Sequence, residues 1–245
     1  NSVVIVSSMY EYEPAYRGYY QVHLVDFTDP SAPVLTAKWD VALEPWWGGW
    51  WYYDMPMAET MNKDAMYYGG WYGGNSAYLA GDYLVLRGTA GAYDITLGDH
   101  EVWQGLALVD LAGVDETTLV GLGYENLLDV DVAEGQILIS TKKQVGTDRM
   151  SRPICANYLF FLNPATLEVS RAVNVPGVFA YQQPGTKRLL FNDTQYGPDW
   201  QTVTILRSTE MVGSTVRLLD SVTLPVGYWS VLADGDDVYY TGYSY

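Results

Sequence analysis

The sequence predicts an all-β protein built by repeating one antiparallel unit. Two phrases alternate along the chain, their strands are filled with Val, Ile, Leu, Tyr and Phe, and no segment carries a long stretch of helical periodicity. The first phrase is a turn with Gly or Asp followed by a short apolar strand. The second is a strand, a polar turn and another strand. Ala133, Gln183 and Ala233 each open the first phrase, at a spacing of roughly 50 residues, close to the period of a four-stranded propeller blade. The predicted fold is therefore a β-propeller, with about four to five four-stranded blades in residues 1–245 as a single domain or segment. A plain β-sandwich is the alternative, and regular repetition of one strand-turn pattern counts against it.

Taken in order, the chain opens with NSVVIVSS (Asn1–Ser8), the strand half of the first phrase without its turn. Gln21–Val41 follows as the second phrase, reversing at Asp29-Pro30, where a local hydrogen bond and a fixed φ turn the chain back. AGDYLVLRG (Ala80–Gly88) and Gln104–Asn126 form the next pair of phrases. AEGQILIST (Ala133–Thr141) and Asn157–Gly177, with its Asn163-Pro164 turn, form another. QPGTKRLLFND (Gln183–Asp193) precedes a weaker second phrase, Thr202–Pro225, and ADGDDVYYTG (Ala233–Gly242) closes the series. The chain stops at Tyr245, just after the same strand type on which it begins, and it starts at Asn1 without an initiator Met. The expectation is a segment of a longer polypeptide; an intact mass near 27.4 kDa with Asn1 as the native start would contradict it.

One interval breaks the spacing. From the opening strand to Ala80 is roughly 80 residues rather than 50, and the excess is an aromatic, glycine-rich stretch at about residues 44–76. It contains WWGGWWYY (Trp46–Tyr53) and YYGGWYGG (Tyr67–Gly74), with Met55, Met57, Met61 and Met66 between them. This stretch is expected to be an insertion between blades.

VHLVDFTDPSAPVLTAKWDV resembles the repeat of bacterial and archaeal LVIVD-type β-propellers, whose strands read apolar-Asp, then Ser/Thr-Asp-Pro-x-x-Pro, then apolar. FLNPATLEV and AVNVPG are similar to later blades of secreted proteins with a C-terminal propeller distantly related to WD-type repeats. The resemblance is strong only at Val25–Leu35 and Leu162–Gly177. It implies a propeller, usually exported, and carries over no catalytic residue.

Composition narrows the function classes. Twenty-nine acidic against 13 basic residues give a net charge of −16, which repels phosphate backbones and anionic headgroups, so neither nucleic acid nor a membrane surface is an expected partner. Cys155 is the only cysteine, so an intrachain disulfide and a cysteine-based zinc site are excluded. No run reaches the length of a transmembrane helix and no signal peptide is visible. Asn192-Asp193-Thr194 is a glycosylation sequon, of consequence only in a eukaryotic secretory pathway.

Catalytic candidates are sparse. Of the two histidines, His23 lies within a strand on the same face as Val25, and His100 lies between Asp99 and Glu101, where adjacent side chains do not readily converge on one ion. No nucleophile elbow, zinc-protease motif or phosphate-binding glycine loop occurs. The carboxylates of Asp129–Gly135 and Asp234–Asp237 offer pairs of the kind glycoside hydrolysis uses, which must face each other across a cleft, and Asp234–Asp237 also offers oxygen ligands for calcium; the latter segment occupies the repeat's turn, and turn chemistry accounts for it. The tryptophan-docking repeats of quinoprotein propellers are missing. Thr141–Arg152 holds four basic residues and is expected to be a long exposed loop.

These observations lead to no catalytic residue, metal or cofactor. The expectation is a non-enzymatic extracytoplasmic propeller, secreted, periplasmic or on the cell surface, acting as a scaffold or protein-binding module in a larger assembly. Its expected binding residues are Trp46, Trp47, Trp50, Trp51, Tyr52, Tyr53, Trp71 and Tyr72, rings suited to a protein interface. The alternative is a carbohydrate-binding or carbohydrate-active propeller that stacks sugars on the same rings.

Overall fold

The computed structural model of the protein describes residues 2–11, 17–45, 77–89, 95–96, 104–113, 117–121, 126–149, 153–196, 202–224, 228–234 and 237–242. These residues form β-strands and their turns, with no helix among them. The chain divides into two compact units, Asn1–Asn126 and Leu127–Tyr245.

The first unit begins with sheet A, an antiparallel meander of β1 (Ser2–Glu11), β2 (Arg17–Asp26) and β3 (Val34–Val41). Sheet B contains β4 (Glu44–Pro45), β5 (Ala77–Ala80), β6 (Tyr83–Thr89), β7 (Ile95–Thr96), β8 (Gly105–Asp110) and β9 (Thr117–Gly121). Its core is a sandwich of the two sheets: Tyr20, Val22, Trp39 and Val41 of sheet A pack with Leu84, Leu86, Ala107 and Val109 of sheet B. Strand alternation explains the sorting, because these side chains lie at every second position. Val85, Leu106, Leu108 and Val120 on the other face of sheet B are also fully buried, whereas Val3, Ile5 and Leu35 on the far face of sheet A are exposed.

The second unit contains two four-stranded meanders and a hairpin. Sheet C is β10 (Asn126–Ala133), β11 (Gln136–Thr147), β12 (Pro153–Leu162) and β13 (Val173–Val175). Sheet D is β14 (Val178–Gln182), β15 (Arg188–Tyr196), β16 (Thr202–Val212) and β17 (Thr215–Thr223), and β18 (Tyr228–Asp234) pairs with β19 (Asp237–Gly242). Leu138, Leu159, Val173 and Val175 of sheet C pack against Phe179, Leu189 and Phe191 of sheet D. Phe179 and Phe191 meet edge to face with ring centroids 6.2 Å apart. Two polar contacts tie the sheets together: the Phe179 amide donates to Ser140 Oγ (3.2 Å), and the Gly185 amide donates to Glu134 Oε1 (2.9 Å).

The turns follow the chemistry of their residues. Glu134 and Gly135 both have positive φ, the signature of a type I′ hairpin turn, whose twist matches that of the strands it joins. Pro184 and Gly185, with Gly185 at φ 68° and the Thr186 amide donating to the Gln183 carbonyl, form a type II turn. Asp26, Asp29, Asp110 and Asn163 accept hydrogen bonds from the backbone amides two residues on. The second phrase thus reverses through Asx turns in three of its copies. In the fourth, β16 runs on to a two-residue turn at Gly213-Ser214, which is why that copy looks weak in sequence.

One expectation changes. The first half of Thr141–Arg152 is strand and not loop: Lys142–Thr147 continue β11 and pair with Pro153–Asn157 of β12. Partner strand and register override the polar composition there. The aromatic stretch from residue 46 to residue 76 lies outside the described residues. Its flanks, Glu44–Pro45 and Ala77–Ala80, both pair with β6.

Candidate functional site

Pro45 lies opposite Gly88 and Ala77 lies opposite Leu86, both antiparallel to β6 and on the same edge. β4 and β5 are therefore two collinear halves of one strand, separated by a single register position, the one opposite Arg87. Two register steps span roughly 7 Å, so residues 46–76 leave and re-enter the sheet at nearly one point. Trp46, Trp47, Trp50, Trp51, Tyr52, Tyr53, Trp71 and Tyr72 all lie outside the described residues, as do Met55, Met57, Met61, Met66 and His100. What the fold defines is the frame from which they depart.

That frame is tightly built. A Cβ at Gly88 would collide with the Glu44 carbonyl oxygen and lie 2.7 Å from Leu43 Cγ. A Cβ at Gly18 would lie 2.8 Å from Glu44 Cγ and 3.2 Å from both Pro45 Cδ and Tyr10 Cε1. Only glycine lets β4 approach β2 and β6 this closely. Leu43, fully buried, wedges beneath, and the Tyr20 hydroxyl donates to the Arg87 carbonyl at 2.6 Å. The departing chain is thus clamped by Gly18, Gly88, Leu43 and Tyr20.

Arg87 is the residue that sequence reasoning missed. It is 5% exposed, on the face of β6 shared with Val85, Leu106 and Leu108, and Gln104 nearby is 2% exposed. A guanidinium taken out of water requires hydrogen-bonded partners, so an arginine in this position marks a polar site inside an apolar sheet. The available signal was its place in YLVLRG, an inward position of an otherwise apolar central strand.

The remaining candidates are located without forming a catalytic set. His23 is half-buried in β2, opposite Ile5 and Lys38. Cys155 is half-buried in β12 opposite Gln144. Burial raises the Asp131 pKa, opposed by the hydrogen bond its carboxylate accepts from the Val132 amide. Among the described residues no group of three or more His, Cys, Asp or Glu is placed to hold a metal ion. Also among them, no helix is long and apolar enough to cross a membrane. Asn192 of the sequon sits in β15 between β14 and β16, with Oδ1 buried.

No protein-family model matches the chain, and no curated protein matches it.

Proposed function

We propose that the chain is a β-propeller segment that acts outside the cytoplasm as a non-enzymatic scaffold, binding a protein partner through residues 46–76. Support for the propeller comes from successive, mainly antiparallel sheets, two of them four-stranded, packed face to face within each unit, and from the LVIVD-like phrase at Val25–Leu35. The observation that carries the binding role is the clamped breach opposite Arg87: the edge strand on β6 breaks at one register position, and between its two halves the chain carries 31 residues rich in Trp and Tyr. Large rings of this kind supply contact area at low cost in conformational entropy and dominate the centres of protein interfaces.

The test replaces Trp46–Trp51 with Ser and Gly and measures the size of the native assembly. Loss of assembled partners with unchanged strand content supports the reading; an assembly of unchanged size refutes it. The carbohydrate reading draws on the five tryptophans Trp46, Trp47, Trp50, Trp51 and Trp71 as stacking platforms. Glycan-array binding that disappears in the Trp50→Ala/Trp51→Ala double variant would favour it over a protein partner.

A further inference from the structure

We propose that the outer edge of β17 is a self-complementary surface through which two copies of the chain pair in an antiparallel, two-fold arrangement. This surface is built from none of residues 46–76, and the proposal stands whatever those residues bind. Among the described residues β17 pairs only with β16, leaving its second edge of backbone donors and acceptors open. Eight of its nine residues are exposed, among them Leu218 (52%), Leu219 (42%) and Val222 (57%). An open strand edge is a template for another strand.

The occupant follows from the order of charges around a bulge. Thr209 pairs with Leu218 but Ser208 pairs with Asp220, so Leu219 is an extra residue. Opposed residues of an antiparallel pair share a face, which puts Arg217 on the Glu210 side and Asp220 on the Ser208 side. Glu210 and Ser208 are two residues apart and lie on one face, so Arg217 and Asp220 do as well. Without the bulge, three residues of separation would place them on opposite faces. A two-fold axis normal to the sheet, passing between Leu218 and Leu219, then sets Arg217 of each copy opposite Asp220 of the other. The same register sets Val216 opposite Ser221 and Thr215 opposite Val222, in each case on matching faces. An isologous contact requires this self-complementarity.

The partners of the two charges in the single chain fit this role. Arg217 already pairs with Glu210 on β16, while the Asp220 carboxylate accepts the Ser221 amide at 2.7 Å. Pairing would place each guanidinium between two carboxylates, Glu210 of its own chain and Asp220 of the other, and supply Asp220 with a cation.

The proposal is tested by sedimentation of the intact protein and two charge variants, Arg217→Glu and Asp220→Lys. The wild type is expected to show a dimer that dissociates on dilution. Each variant alone sets like charges opposite one another and is expected to be monomeric. An equimolar mixture of the two restores opposite charges at both positions of a heterodimer, so the dimer is expected to return on mixing. A wild type that stays monomeric at every concentration would mean that the bulge and charges only guard the edge, and would overturn the proposal. Variants that dimerise as the wild type does, or a mixture that stays monomeric, would overturn it equally.

Discussion

Gly88 carries the tightest steric constraint in the frame that flanks residues 46–76. Its missing Cβ is where the Glu44 carbonyl and Leu43 lie, so Gly88→Ala must push β4 off β6. Overpacking of this kind costs about 3 kcal/mol, and the expected readout is a lower melting temperature, with Leu43 and Tyr20 losing protection from hydrogen exchange. Gly135→Ala, at φ 75° with open space around it, should cost only the left-handed backbone penalty of about 1 kcal/mol.

The aspartates set opposite pH dependences. The Asp26 pKa is lowered by the Thr28 hydroxyl and amide, and that of Asp29 by the Ser31 hydroxyl and amide. A carboxylate with a lowered folded pKa contributes stability above its ordinary pKa and loses it as pH falls through the folded value. Asp131 works the other way. Its raised pKa means that the folded state binds the proton more tightly, so its contribution is full below the ordinary carboxylate pKa and declines as pH rises through the folded value. Thermal melts across pH should therefore show Asp131→Asn more stable than wild type at neutral pH, with the advantage gone in acid. An Asp26→Asn/Asp29→Asn variant should flatten the acid limb of the same curve.

Among the elements, the β11–β12 ribbon departs most from a compact sheet. β10 has eight residues and joins β11 through a two-residue turn, so it reaches no further along β11 than Lys143, and β13 covers only Asn157–Leu159 of β12. Gln144–Thr147 and Pro153–Ala156 form a two-stranded extension of roughly 13 Å beyond the flanking strands, with Val145 and Ile154 exposed on it. Two strands alone are marginally stable in water. Amides in this extension are expected to exchange orders of magnitude faster than those of Ile137–Ile139 in the same strand. Equal protection along β11 would show that something covers the arm. β15 behaves oppositely: with Asn192 held between two strands, glycosylation of the folded protein at this sequon is not expected, and mass spectrometry after expression in a secretory host checks it.

For the molecule as a whole, the collinearity of β4 and β5 makes a sharp statement about modularity. If residues 46–76 interrupt one strand at one register position, replacing all of them with a single Thr should restore a continuous strand from Glu44 to Ala80. The expected product retains its β-sheet circular dichroism and cooperative melting, and loses whatever binding the aromatic rings provide. Collapse of the first unit on this replacement would mean that the segment completes the core rather than decorating it.

The strands and reversals of this protein were legible in its sequence, because hairpins are local. Asx acceptors, Pro-Gly pairs and glycines at positive φ declare themselves within a few residues, and alternation of apolar side chains declares which face is inward. Three features were not legible, and each depends on a partner strand distant in sequence. The breach opposite Arg87 exists only because Pro45 and Ala77 share one edge of β6. The basic stretch after Thr141 is strand only because Pro153–Asn157 pairs with it. Arg217 and Asp220 share a face only because Leu219 bulges against β16. The sequence determined by itself the repeating unit, its turns and the presence of an aromatic, glycine-rich segment. Tertiary structure decided register, and through register which side chains meet, since a shift of one residue in pairing moves every side chain to the opposite face.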